Sequence, residues 1–371
     1  MTTAVLAVRG LGVSVSRGSR RLVAVDDVGF EIAEGGSLGI VGESGSGKSL
    51  TLRALMALLP PGARADRGVV ELAGEPLPLS GPEARKARRR RLGMVFQDPL
   101  SGLDPVRNVG SQVAEVPHRV LGQSRSASWR RAIELLGLVG LPDPERHSRS
   151  FPHQLSGGMR QRVVIAMALA TEPRVLLCDE PTTALDVTVQ AQVLDLLDGL
   201  RSRLGVAVVF VSHDLAVVRQ VCDQLAVMYA GKFVETGPVA EVLDRPGHPY
   251  TVGLLEAVVD LDEPNRTPRS IRGMPPDLAR LPPGCPFAPR CRLESEDCTM
   301  VKPALSPFDA RDPVRATRCI HPERLGPYQW QASRMEPGRM EPGWMESGRM
   351  EPGRMEPGRM EPDRLEPGQL E

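Results

Sequence analysis

Ser37-Leu38-Gly39-Ile40-Val41-Gly42-Glu43-Ser44-Gly45-Ser46-Gly47-Lys48-Ser49-Leu50 runs from an apolar stretch through a glycine-rich turn into a helical pattern. The turn satisfies GxxxxGK[ST], and a strand before it with a helix after it is the context that motif requires. The glycines let the backbone wrap closely around phosphate oxygens. Successive amides and the helix N-terminus point positive ends at the same spot, Lys48 adds a mobile charge toward the β and γ phosphates, and the Ser49 hydroxyl suits Mg²⁺. The expected phosphate-binding set is Gly42, Glu43, Ser44, Gly45, Ser46, Gly47, Lys48, Ser49 and Leu50.

Working outward, residues 1 to about 260 alternate short β-branched runs (SLGIVG, GMVFQ, RVLLCDE, VAVVFVSH) with helix-compatible stretches at Ser49 to Leu59, Ser128 to Leu136, Gly158 to Thr171 and Thr188 to Leu204. That texture predicts an α/β layer on a largely parallel sheet. Pro60-Pro61-Gly62 is expected to end the first helix. The run Arg174 to Glu180 delivers two adjacent carboxylates from an apolar strand. Side chains alternate across a strand, so the two cannot share one task. Asp179 is suited to hold Mg²⁺, directly or through water, and Glu180 to orient or deprotonate an attacking water.

Between these motifs lies Leu155-Ser156-Gly157-Gly158-Met159-Arg160-Gln161-Arg162, which resembles the signature sequence of the ATP-binding-cassette (ABC) ATPases. A serine and two glycines opening a helix supply a hydroxyl, free amides and a positive helix end that can hold an anion. Gln97 in VFQDP resembles the family's Q-loop, Ala184-Leu185-Asp186 its D-loop, and His213 in FVSHD its switch histidine. The resemblance implies a P-loop NTPase-type α/β fold with a mostly parallel sheet and an inserted helical subdomain at about 98–170, inside an ATPase domain at 5–260. It also implies catalytic roles for Glu180, His213 and Gln97, and Mg²⁺ held by Ser49, Gln97 and Asp179. The dimer it implies is head to tail, with Ser156, Gly157 and Gly158 closing on ATP held by the partner, and Asp186 at the D-loop. One departure stands out: no Phe, Tyr or Trp precedes Phe30, so adenine is held either by aliphatic packing around Val15 or by an arginine plane.

The stretch MVFQDPLSGLDPVRNVGSQVAE, the block Gly247-His248-Pro249-Tyr250-Thr251 and the Pro-rich segment Gly273 to Cys291 resemble the ATPase subunits of dipeptide and oligopeptide importers, including their C-terminal extension, here 261–325. The resemblance implies two transmembrane permease subunits, a sister ABC ATPase (heterodimer or homodimer) and, indirectly, an extracytoplasmic solute-binding protein as partners. It also implies import of peptides or of related small solutes such as nickel, from the cytoplasmic face of the membrane. A soluble ATPase with a metal-dependent regulatory or redox role is the competing reading.

Residues 261–325 carry too little periodic hydrophobicity for a core of their own, so a metal or a neighbouring domain must organise them. Cys285, Cys291, Cys298 and Cys319 are spaced more loosely than paired zinc ligands usually are. As four thiolates on one Pro-rich segment they suit zinc or an iron-sulfur cluster. In the peptide-importer ATPases such cysteines are associated with a four-iron four-sulfur cluster. Cys178 and Cys222, in apolar patterns, read as small buried hydrophobes.

The chain has 371 residues, with 46 Lys plus Arg against 46 Asp plus Glu. A neutral total argues against a general nucleic-acid binder, which needs a basic surplus to collect phosphate contacts. The run Arg85-Lys86-Ala87-Arg88-Arg89-Arg90-Arg91 reads as a solvated helix face rather than a nucleic-acid patch. No membrane-spanning or signal segment is visible, so a cytosolic protein is expected. From Arg334, seven units close to Arg-Met-Glu-Pro-Gly follow one another. Pro and Gly at this spacing forbid a continuous helix or strand, so 331–371 is expected to be a disordered tail.

Overall fold

The computed structural model describes residues 4–18, 20–183, 185–257, 269–309 and 312–325. The repeat tail at 331–371 and Ala184 of the D-loop lie outside the described residues.

Two sheets form the frame. The first is antiparallel, in the order β2-β1-β4-β5, from β1 (Ala4–Arg17), β2 (Arg20–Ala33), β4 (Ala63–Leu72) and β5 (Glu75–Leu77). The second has the order β11-β12-β10-β9-β3-β8-β7-β6. Its centre comprises β3 (Ser37–Val41), β6 (Leu92–Val95), β7 (Val175–Asp179), β8 (Ala207–Ser212) and β9 (Gln224–Tyr229), paired in parallel. At one edge β10 (Lys232–Pro238), β11 (Ser306–Asp309) and β12 (Asp312–Thr317) pair antiparallel. The parallel centre agrees with the sequence expectation. The separate antiparallel sheet was not foreseen: β1 turns directly into β2 without a crossover helix, and a strand pair joined that tightly must run antiparallel.

The parallel strands are buried on both faces, and successive residues enter opposite cores. In β7, Val175 and Leu177 join the cluster under the antiparallel sheet, while Leu176 and Cys178 join the cluster on the helical side. β8 repeats this with Val209 and Val211 against Val208 and Phe210. This two-sided burial explains why these strands read as continuous apolar runs.

The helices are α1 (Lys48–Leu55), α2 (Pro82–Arg88), α3 (Val109–Leu121), α4 (Arg125–Leu138), α5 (Pro144–His147), α6 (Gly157–Leu169), α7 (Val187–Leu204), α8 (Leu215–Val221), α9 (Val239–Asp244), α10 (Pro249–Ala257) and α11 (Glu296–Met300). Helix α1 stops short of the expected Leu59, because Ala57 takes a left-handed φ of 53° before the prolines are reached. The stretch between β6 and β7 carries α3 to α6, the expected helical insertion. No helix among the described residues is long and apolar enough to cross a membrane.

The basic run corrects the expectation in part. Only Arg85 to Arg88 of it lie in α2, and Arg88 is fully buried rather than solvated. Its guanidinium donates to the carbonyls of Leu55, Pro78 and Ala84, so it splices α1 to the segment after β5. Desolvation pulls its pKa down to about 10.

The C-terminal segment uses the ATPase body for its core. β12 pairs with β10, and β11 folds back on β12. Phe287 is buried in the helical-side core, a contribution of about 1.5–3 kcal/mol for a side chain of this size. Beneath the hairpin, Glu235 and Arg315 form a buried ion pair at 3.1 Å, 0% and 3% exposed. The Glu235 carboxylate also accepts from Gly247 N–H at 2.6 Å and Thr251 Oγ1 at 2.6 Å. Removing one member of such a pair leaves an uncompensated buried charge. Glu235→Ala is therefore expected to destabilise the protein by about 3–5 kcal/mol, read as a lowered denaturation midpoint, whereas Glu31→Ala in the exposed pair with Arg9 should change it by less than about 1 kcal/mol.

Candidate functional site

Strand β3 ends at Val41 and α1 begins at Lys48, so Gly42 to Gly47 form the turn between them. Gly42 and Gly47 are required there. A Cβ on Gly42 would lie 2.2 Å from the Met228 carbonyl oxygen, and Gly47 has φ 112° with the Ala24 carbonyl 2.9 Å from its Cβ position. Gly231 N–H donates to the Ser46 carbonyl at 2.9 Å and fixes the far side of the loop. Ser44 and Gly45 are exposed at its tip. The Ser46 hydroxyl is buried without a protein hydrogen-bond partner among the described residues, which fits an oxygen-rich ligand in the cradle. Lys48, 5% exposed, donates from Nζ to the carbonyls of Gly42 at 2.7 Å and Glu43 at 3.1 Å. Burial holds its ammonium below the ordinary lysine pKa, and Glu180, Asp179 and Glu43 pull it back up. Leu50 packs against the core under the antiparallel sheet, so its side chain serves α1 rather than the loop.

Strand parity separates the two carboxylates. Asp179 shares the face of Val175 and Leu177 and meets α1, where it accepts from Ser49 Oγ at 2.7 Å. Desolvation raises its carboxyl above the usual range, opposed by the Ser49 hydrogen bond and Arg53. Two hard oxygen donors side by side fit Mg²⁺. Glu180 leaves the strand with φ 48° and faces another way. Its Oε2 accepts from Gln97 Nε2 at 3.2 Å and Thr183 Oγ1 at 2.9 Å, and lies 3.3 Å from His213 Nδ1. Glu180, Gln97 and His213, expected from separate motifs, thus meet at one carboxylate oxygen. Among the described residues, the hydrogen bond of Gln97 runs to Glu180.

Thr183 was missed by the sequence reading. A threonine three residues after a turn carboxylate is a local signal for such a hydrogen bond, though a weak one.

Ser156 is the N-cap of α6, its hydroxyl accepting from Met159 N–H at 3.3 Å. Ser156 and Gly157 are exposed, but Gly158 is buried, with Val189 Cγ1 2.5 Å from its Cβ position. Gly158 therefore lets α6 and α7 approach. Asp186 caps α7 by accepting from Val189 N–H at 3.0 Å. Val15, on β1, is half-buried, while Arg21 is engaged by Asp66 and Ser14.

Cys285, Cys291, Cys298 and Cys319 line one cavity of about 20 Å³ together with His248, Phe287 and His321. Among the described residues no three His, Cys, Asp or Glu side chains stand at metal-ligating spacing. The thiols are unpaired, and burial pushes Cys319 up to about 12 and raises Cys285 and Cys291. Cys178 and Cys222 are buried in the core, as expected.

Thr183→Val should remove one charge-assisted hydrogen bond from Glu180, worth about 1.5–3 kcal/mol. The expected result is a fall in kcat for ATP hydrolysis of about ten- to a hundredfold with KM nearly unchanged; an equal loss in KM would place Thr183 in substrate binding instead.

A family model for the ABC transporter matches residues 25–183, and one for the oligopeptide/dipeptide transporter C-terminal region matches residues 234–298. The oligopeptide transport ATP-binding protein OppD of Escherichia coli K12 is 43% identical over 319 residues, 86% of this chain and 94% of the relative. The dipeptide transport ATP-binding protein DppD of Bacillus subtilis 168 is 46% identical over 301 residues, 81% of this chain and 90% of the relative. Among solved structures, the dimeric post-hydrolysis state of the ATP-binding cassette MJ0796 bound to ADP and Pi aligns with TM-score 0.56 and 30% identity, covering 63% of this chain and 98% of that one. Identity of this extent, running through most of both chains, makes this protein a member of the ABC transporter family.

Proposed function

We propose that the chain is the ATP-hydrolysing subunit that energises import of oligopeptides or dipeptides through a membrane permease. The observation that carries this reading is the meeting of Gln97, Thr183 and His213 at Glu180, beside the Ser49–Asp179 pair and the Lys48 loop. Peptide as the cargo is supported by the named OppD and DppD relatives and by the match of the C-terminal region to that transporter class.

In this reading the loop amides and Lys48 hold the phosphates, and Glu180 orients the attacking water and takes its proton. Gln97 and His213 hold that carboxylate and the γ phosphate in line. Ser49 Oγ and Asp179 would hold Mg²⁺, which would supply positive charge to offset that of the phosphates. The exposed amides at Ser156 and Gly157 close on ATP bound to a second ATPase subunit, with Gly158 setting the approach of α6 and Asp186 framing α7. The second ATPase is a sister chain or a copy of this one. Two permease subunits anchor the pair at the cytoplasmic face of the membrane, and a solute-binding protein delivers cargo from outside.

As thiolates, Cys285, Cys291, Cys298 and Cys319 would suit a four-iron four-sulfur cluster or zinc; they line one small cavity, but no three of these side chains stand at metal-ligating spacing among the described residues. Iron, zinc and acid-labile sulfide measured on anaerobically purified protein should reach stoichiometry for one group; substoichiometric amounts of all three would leave four reduced thiols packed in a loop.

Glu180→Gln should leave ATP binding intact and lower turnover by more than about a hundredfold, the size expected when a positioned base is removed. In cells lacking the wild-type gene, uptake of labelled tri- or tetrapeptides should return with the wild-type chain and not with this variant. Steady-state hydrolysis at the wild-type rate would overturn the role of Glu180. Uptake that is independent of the chain would overturn the peptide reading.

A further inference from the structure

The second residue of the phosphate loop, Glu43, is gripped from the C-terminal half of the protein at three points. Its amide N–H donates to the Tyr250 phenol oxygen at 2.7 Å. Its carboxylate accepts a two-pronged pair from Arg290, Nη1 to Oε2 at 2.6 Å and Nη2 to Oε1 at 2.8 Å. Its carbonyl in turn accepts from Lys48 Nζ at 3.1 Å. A continuous path therefore runs from Arg290 through the Glu43 peptide to the lysine that meets the phosphates.

Arg290 is well placed to hold that peptide. It is 7% exposed, its Nε donates to the Arg272 carbonyl at 2.8 Å, and its guanidinium lies 5.8 Å from the Tyr229 ring centroid and 6.0 Å from that of Phe287. Tyr229, Tyr250 and Phe287 pack with centroids 4.6, 5.2 and 5.4 Å apart, so the platform under the guanidinium cannot yield easily. A planar, always-charged fork against a carboxylate fixes distance and angle together, which a lysine would not do. Arg290 also closes the short 3₁₀ turn Ala288–Arg290 directly before Cys291, within the segment whose cysteines line the small cavity.

We propose that Arg290 is a positioning residue for ATP binding: through Glu43 it sets the peptide that orients Lys48, so that the cysteine-bearing segment controls nucleotide affinity from outside the ATPase fold. This rests on Gly42 to Ser49 being the ATP site. Loss of the fork should let the Glu43 peptide rotate and weaken ATP binding, while Glu180, Gln97 and His213, which follow other strands, keep their geometry once ATP is bound.

The test is a double-mutant cycle on the full chain, with Glu43→Gln, Arg290→Met and the pair. Affinity for a fluorescent ATP analogue and steady-state hydrolysis would both be measured. Each single variant is expected to raise Kd and KM for ATP about tenfold with kcat within about threefold, and the double variant should be no worse than the poorer single, the signature of one shared interaction. Arg290→Lys, which keeps the charge, should fall between wild type and Arg290→Met. Unchanged Kd in a folded Arg290→Met protein would overturn the proposal, and so would losses that multiply in the double variant. If Arg290→Met fails to fold, Glu43→Gln and Arg290→Lys decide, and wild-type affinity in both counts against it. Lys48→Ala separates the two layers: if it leaves ATP binding intact, the site assignment itself fails, whereas if it abolishes binding and the Glu43 and Arg290 variants do nothing, only this proposal fails.

Discussion

Strands β3, β8, β7 and β6 hydrogen-bond in parallel register, with Val41 beside Ser212, Val211 beside Asp179 and Cys178 beside Val95. Parallel strands in register end at one level, and crevices beyond the carboxyl ends of such strands are where ligands sit in open α/β sheets. Four stretches of chain far apart in sequence thus arrive at one sheet edge: Gly42 after β3, Gln97 after β6, Glu180 after β7 and His213 after β8. The same register has a second consequence. Because side chains alternate, Asp179 goes to α1 and Ser49, while Glu180 goes to Gln97 and His213. A slip of one residue would exchange the two carboxylates and send apolar side chains to the wrong core.

The buried charges at this edge depend on that geometry. Burial pushes Lys48 and Asp179 each toward neutrality, opposed at Lys48 by Glu180, Asp179 and Glu43 and at Asp179 by the Ser49 hydrogen bond and Arg53. Around the buried Lys48 and Asp179, reduced access of water strengthens the remaining interactions, so placement of the charges matters more than their number. Helix ends contribute as well. Ser156 and Asp186 cap their own helices, which sets where α6 and α7 begin, with Ser156 and Gly157 exposed at the start of α6.

The C-terminal segment makes no core of its own and extends the sheet instead. Its hairpin pairs with β10 through Glu235 beside Thr317 and Thr236 beside Ala316. The Glu235–Arg315 pair beneath it contributes little net stability by itself, since two desolvated charges offset most of their attraction. A hairpin docked elsewhere would leave one of them stranded, and that penalty selects the observed edge. Arg290 applies the same principle toward the phosphate loop.

The sequence by itself determined the chemistry that depends on local order. The phosphate loop between β3 and α1, the Asp179–Glu180 pair, the signature helix start and the burial of Cys178 are all set by residues a few positions apart, through strand alternation and helix capping. It also contained enough apolar runs to reveal the parallel sheet. Only the tertiary structure decided which distant residues meet: Gln97 and His213 on the Glu180 carboxylate, Arg88 inside rather than on a solvated face, and Arg290 and Tyr250 on Glu43. Those contacts bridge separations of up to 247 residues. No periodicity encodes them, because a hydrogen bond is fixed by where two backbones have been packed, and that is settled by the whole core at once.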